Sequence, residues 1–255
     1  MKNVEHDVVQ LESVWFSYDS EPTLENVNLC VEQLDFLSII GPNGGGKTTL
    51  LKLLLGLIKP MRGNIRVLGV KPEQSCRQVG YVPQYTNVDP RFPLSVWEVT
   101  LMGRLGSNPL GKRYSVKDRE IAAEALKQVN LYELRNRQIG KISRGQLQRT
   151  LIARALTVQP RLLLLDEPSA SVDSKITQHL YELLLKLNEH ITIIIVSHDI
   201  GVVSRYAKTI ACVNRKLVSH NDNQITQKML VETYQCPVDL IAHGVPHRVL
   251  AQHNN

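Results

Sequence analysis

The octapeptide GPNGGGKT, Gly41 to Thr48, has the spacing G-x-x-x-x-G-K-[ST]. Glycines let backbone N–H groups curl around phosphate oxygens, and a helix opening behind them adds the positive end of its dipole. Gly41, Pro42, Asn43, Gly44, Gly45 and Gly46 are therefore candidate cradle residues. Lys47 can reach β- and γ-phosphates, the Thr48 hydroxyl can ligate Mg²⁺, and Thr49 belongs to the same nucleotide-binding set. A second stretch, RLLLLDEP, ends an apolar run on two carboxylates. Beside a phosphate loop, Asp166 can hold Mg²⁺ through its water shell, and Glu167 can polarise an attacking water. Adjacent residues leave a strand in different directions, so the two can take different tasks.

A third stretch, KISRGQLQR, reads as a helix start, with Ser143 as N-cap and Gln146 at capping-box spacing. Arg144 places a positive charge at the positive end of the helix. Gly145 costs about 1 kcal/mol relative to alanine inside the first turn. Both oddities suit a docked phosphate, although the chain already has a phosphate loop.

The elements that must position these groups follow from the apolar pattern. VVQLESVWF and NVNLCVE alternate like paired strands, and GNIRVLG reads as another. DFLSII runs into the glycines and KTTLLKLLLGLI follows with helical spacing. VGYVPQ reads as a short buried strand ending at Gln84. Helices with polar links follow, one starting at Ser115–Asp118 with Ile121, Ala122, Ala125, Leu126 and Val129 on its apolar stripe. RLLLL and ITIIIVS read as buried strands around a helix whose apolar face carries Ile176, Leu180, Leu183, Leu184 and Leu187. TIACVN and KLVSH suggest a closing hairpin. Continuous apolar strands alternating with helices imply a largely parallel sheet covered on both faces. The expected fold is α/β, a P-loop NTPase with a mixed, largely parallel sheet, an N-terminal antiparallel β subdomain and an inserted helical subdomain. The domain is expected to span 5–236, with the helical part at about 86–155 and a tail at 237–255.

Composition excludes little else. The 255 residues are 43% hydrophobic and 21% charged, ordinary for a soluble globular chain. The longest apolar runs fall short of the ~20 residues a membrane span needs. MKNVEHDVVQL carries acids where a signal peptide would be apolar, so a cytosolic protein is the expectation. Cys30, Cys76, Cys212 and Cys236 form no C-x-x-C pair; they are expected to be small buried hydrophobes. The net charge of +6 suits a phosphate ligand, nucleic acid or an anionic surface. An aromatic content of 5% argues against a single-strand stacking platform.

Phosphate loop, YVPQ, ISRGQ, LLLLDEPSASVD and IIIVSHD, in this order and spacing, resemble the nucleotide-binding subunit of an ATP-binding-cassette (ABC) transporter. The likeness covers about Val8 to Val218 and implies an ATPase that uses ATP and Mg²⁺. By resemblance, Tyr18 stacks on adenine, and Gln84 senses Mg²⁺ and the attacking water. His198 contacts the γ-phosphate and orients Glu167, and Asp173 touches the opposite subunit. Family members pair head to tail as dimers, so Ser143, Arg144, Gly145 and Gln146 would serve the partner's nucleotide. The usual signature is L-S-G-G-Q; here Ile142 and Arg144 depart from it. Arg144 is expected to add a charge-assisted contact at or near that nucleotide.

The segment YTNVDPRFPLSVWEVTLMGRLG is similar to stretches of importers for zinc, manganese or iron, and VDLIAHGVPHRVL also resembles that subgroup. Phe92, Leu94, Val96 and Trp97 are expected to contribute to a groove for a permease helix. The resemblance implies a peripheral subunit on the cytoplasmic face of the inner membrane, energising metal uptake through permease subunits. A metal-binding protein outside the membrane is an indirect partner, and nucleic acid is not one. His243, His247 and His253 read as a solvated tail, because Gly244 and Pro246 break any aligning helix. The alternatives are an ATPase for an iron chelate or other small cargo, and a soluble non-transport ABC ATPase.

Overall fold

Val9, Leu11 and Val14 of β1 (Asp7–Ser17) and Val27, Leu29 and Val31 of β2 (Pro22–Glu32) turn inward, while Asn28, Cys30 and Glu32 turn out. On β2 this period of two is the signature of an antiparallel pair with one wet face, and on β1 a register shift between Leu11 and Val14 interrupts it. β1 pairs with β2 on one side and, after β3 (Phe36–Ile40), with β4 (Arg62–Val67) on the other, both antiparallel. The computed structural model describes residues 7–84, 93–107, 113–168, 174–220, 241–242 and 245–246.

β3 instead joins a second sheet. Its neighbours are β5 (Val79–Val82), β6 (Leu162–Asp166), β7 (Thr192–Val196), β8 (Thr209–Asn214) and β9 (Lys216–His220), in the order β5-β6-β7-β3-β8-β9. Every pairing is parallel except β8 with β9. All five residues of β3, β6 and β7 are buried, which is why these strands read as unbroken apolar runs. Each fully buried leucine contributes roughly 1.5–3 kcal/mol of transfer free energy.

The described residues form seven α-helices: α1 (Lys47–Leu54), α2 (Pro72–Ser75), α3 (Val96–Leu101), α4 (Val116–Gln128), α5 (Arg144–Leu156), α6 (Ser174–Asn188) and α7 (Ile200–Tyr206). One core joins the β1–β2–β4 sheet, α1 and one sheet face, including Leu37 and Ile39; the other joins α3 to α6 to the opposite face, including Phe36. Capping boxes start α3 at Ser95–Glu98, α4 at Ser115–Asp118 and α5 at Ser143–Gln146. Asp118 also pairs with Arg104 at 2.9 Å, and Arg104 donates to the Thr157 carbonyl at 2.8 Å. That pair ties α4 to the end of α5. No helix of the described residues is long and apolar enough to cross a membrane.

Several local expectations need correction. Cys30 and Cys76 are exposed and only Cys212 is buried among the described cysteines. On β2 the outward phase of the pleat decides for Cys30, whatever its hydrophobicity. β5 ends at Val82, before Pro83, whose missing N–H cannot extend a ladder, and Gln84 lies beyond it. Val96 is wholly buried in the helical core, and the partly buried Leu94 and Trp97 pack against that core. Phe92, Cys236 and the three tail histidines lie outside the described residues.

Candidate active site

β3 delivers the chain to the glycine loop and α1 carries it away. Gly46 is the N-cap of α1 at φ 100°, and a Cβ there would lie 2.7 Å from Leu24 Cδ2. The left-handed backbone and the close approach both demand glycine. At Gly41 a Cβ would sit 2.0 Å from the Val213 carbonyl oxygen, and at Gly45 2.8 Å from the same atom. The Arg215 N–H donates to the Gly45 carbonyl at 3.1 Å. The loop therefore rests on backbone from β8 and the turn that follows it, a support that no side-chain motif announces.

Lys47 opens α1 and is buried, its ammonium donating to the Gly41 and Pro42 carbonyls at 2.9 Å each. Burial pushes its pKa down, opposed by the Glu167 and Asp166 carboxylates. Thr48 hydrogen-bonds the Asp166 carboxylate at the end of β6. Burial raises the Asp166 pKa, and the Thr48 bond, Lys47 and Lys52 counter it while Glu167 adds to it. Asn43 is exposed, Thr49 buried, and Pro42 half-buried.

Asp166 Oδ1 is buried without a hydrogen-bond partner. An acceptor so placed, beside a hydroxyl and the phosphate loop, fits an inner or outer ligand of a divalent cation.

Glu167 follows with φ 48°, a backbone strain of the kind that clusters at functional sites. Its N–H donates to the Val196 carbonyl at 3.0 Å. Gln84 Nε2 donates to Glu167 Oε2 at 2.5 Å, and His198 Nε2 contacts Oε1. Residues far apart in sequence thus converge on one carboxylate at the C-terminal edge of the sheet. That edge is where open α/β sheets bind ligands.

Tyr18 stands just past β1, 56% exposed, edge-to-face with Phe16 at 4.8 Å, and with the Lys52 ammonium of α1 5.9 Å from its ring centroid. An exposed ring beside the phosphate-loop helix offers a stacking surface. The Ser143–Gln146 tip is elsewhere. Ser143 Oγ accepts from the Gln146 N–H at 3.2 Å and Gln146 Oε1 accepts from the Ser143 N–H at 2.9 Å. Arg144 is exposed. Gly145 presses on α6, where a Cβ would lie 2.6 Å from Ile176 Cγ2. Its glycine thus has an intrachain steric reason that the sequence pattern did not supply. Asp173 lies outside the described residues.

Residues 24–170 match the ABC transporter family. The chain is 38% identical over 216 residues to the zinc uptake system ATP-binding protein ZurA of Listeria innocua, covering 83% of this chain and 84% of that protein. It is 35% identical over 231 residues to the manganese transport system ATP-binding protein MntB of Halalkalibacterium halodurans, covering 89% and 92%. Among solved structures, the dimeric ATP-binding cassette MJ0796, in a post-hydrolysis state bound to ADP and Pi, aligns with TM-score 0.70 at 30% identity over 86% of this chain and 100% of that one. With its family match over residues 24–170 and these identities across most of its length, the chain belongs to the ABC transporter family as one of its ATP-binding cassettes.

Proposed function

We propose that the chain is the ATP-hydrolysing subunit of an importer that carries a transition-metal ion, zinc, manganese or iron, through membrane permease subunits. One observation carries the catalytic part: Glu167 holds one carboxylate oxygen against Gln84 and the other against His198, beside the buried Lys47. In this reading the Gly41–Gly46 amides cradle the phosphates, and Lys47 turns from the loop carbonyls to the β- and γ-phosphates. Tyr18 stacks on adenine. Glu167 accepts a proton from water as the water oxygen bonds to the γ-phosphorus and ADP leaves with the bridging oxygen. His198 holds Glu167 in line and contacts the transferred phosphoryl oxygens. Thr48 and Asp166, with Gln84 nearby, would hold Mg²⁺, which neutralises charge on the phosphates.

The Ser143–Gln146 tip closes over the nucleotide of a second copy, packed head to tail, and Asp173 touches that copy. The dimer sits peripherally on the cytoplasmic face of the membrane, with a metal-binding protein outside as indirect partner. Support for the cargo comes from the zinc and manganese systems named for the relatives. Co-purification from membranes with its permease, followed by ATPase assays in reconstituted vesicles holding zinc, manganese or iron, tests the reading. Stimulation by one of these metals is expected. Stimulation only by an iron chelate or an organic cargo would overturn the cargo, and salt-sensitive nucleic-acid binding without a permease would overturn transport.

A further inference from the structure

Tyr181 of α6 is wholly buried, yet it carries a hydroxyl that an apolar core would disfavour without a partner. Its ring is held independently of that hydroxyl. Phe36 of β3 stacks on it at 6.5 Å and 11°, and Tyr206 of α7 at 5.2 Å and 26°. The hydroxyl donates to Ser197 Oγ at 3.3 Å. Ser197 is the residue before His198, and its Oγ also accepts the Asp199 N–H at 3.2 Å. The Ser197 N–H in turn donates to the Ile39 carbonyl at 3.1 Å, at the end of the strand that feeds the phosphate loop. Asp199 Oδ1 accepts from the Val202 N–H at 3.1 Å, which starts α7. The turn that presents His198 is thus pinned to β3, to α7 and, through Tyr181, to α6.

We infer that Tyr181 is a positioning residue for hydrolysis, its hydroxyl fixing Ser197 so that the His198 imidazole stays aimed at Glu167. The inference rests on the proposed role of His198. A phenylalanine would fill the same stack and keep the core, so the hydroxyl can be removed without dismantling the fold. One neutral hydrogen bond is worth a factor of about three to ten in a rate when it acts only through orientation.

The test compares Tyr181→Phe with the unaltered chain. A kcat lowered about threefold to tenfold is expected, with KM for ATP within about twofold and an unfolding temperature within about 3 °C. Ser197→Ala should lower kcat in the same direction, and Ser197→Thr, which keeps a hydroxyl, should restore it. The discriminating readout is a double-mutant cycle in single-turnover assays with excess protein, which read slow rates. Once His198→Ala is in place, Tyr181→Phe should cost nothing further. A merely structural tyrosine would cost the same in both backgrounds, and that result, or an unchanged kcat in Tyr181→Phe beside a crippled His198→Ala, overturns the inference alone. Full turnover in His198→Ala would overturn the site reading and the inference with it.

Discussion

Gly145 and Ile176 meet so closely that a Cβ on the first would come within 2.6 Å of Cγ2 on the second. Alanine would raise helix propensity in α5 by about 1 kcal/mol. The clash with a half-buried side chain should outweigh that, for a net loss of about 1–3 kcal/mol in Gly145→Ala. Shortening Ile176 to alanine should make the two changes non-additive, the double variant losing less than the sum. Urea denaturation of the four proteins measures this. Strictly additive losses would mean that Ile176 simply moves aside.

Glu167→Gln keeps the shape and the Gln84 contact but cannot take a proton. ATP affinity should persist while kcat falls by a factor of at least about 100. Equilibrium binding of ATP, sedimentation and phosphate release check the three parts, and the ATP-loaded variant should sediment as a dimer. Ordinary phosphate release would remove Glu167 from its assigned task.

The Ser95–Glu98 box at the start of α3 gives a pH-dependent stability. The Ser95 hydroxyl and N–H hold the Glu98 carboxyl below its ordinary value of 4.5. A depressed folded pKa stabilises the protein above the ordinary value, and the gain disappears as pH falls through the folded value. Ser95→Ala should therefore cost about 1 kcal/mol near neutrality and less in acid. Denaturant titrations at neutral pH and well below pH 4.5 compare the two. A penalty that is flat with pH would contradict the sign.

Arg144 stands exposed at the first helical position of α5, where the helix end is already positive. Arg144→Gly should weaken ATP-driven dimerisation several-fold, roughly the worth of one charge-assisted hydrogen bond. Analytical ultracentrifugation in the Glu167→Gln background reads it directly. Unchanged dimerisation, affinity and turnover would remove Arg144 from that contact.

Much of this architecture was legible because its signals are local. The glycine loop and the Asp166–Glu167 pair each lie within a few consecutive residues, and the apolar runs of β3, β6 and β7 declare burial on both faces. The boxes at Ser115 and Ser143 were readable for the same reason, three residues from donor to acceptor. What the chain concealed is long-range backbone contact. Nothing in the glycines points to the Val213 carbonyl beneath them, and nothing around Gly145 points to Ile176. Tyr181 sat beside the stripe of α6 residues expected to be apolar, but its hydroxyl partner comes from another strand's end. Cys30 is the opposite lesson: the alternation of β2 already placed it outward, and period should have outranked residue type.

The dependence of the nucleotide loop on β8 also orders events in time. During synthesis the GPNGGGKT stretch leaves the ribosome long before Val213 and Arg215, whose backbone atoms abut Gly41 and Gly45. A nascent chain that ends short of β8 has the glycines of the loop without the floor beneath them. The loop conformation described here is therefore complete only late in translation, once the strand that supports it has been made.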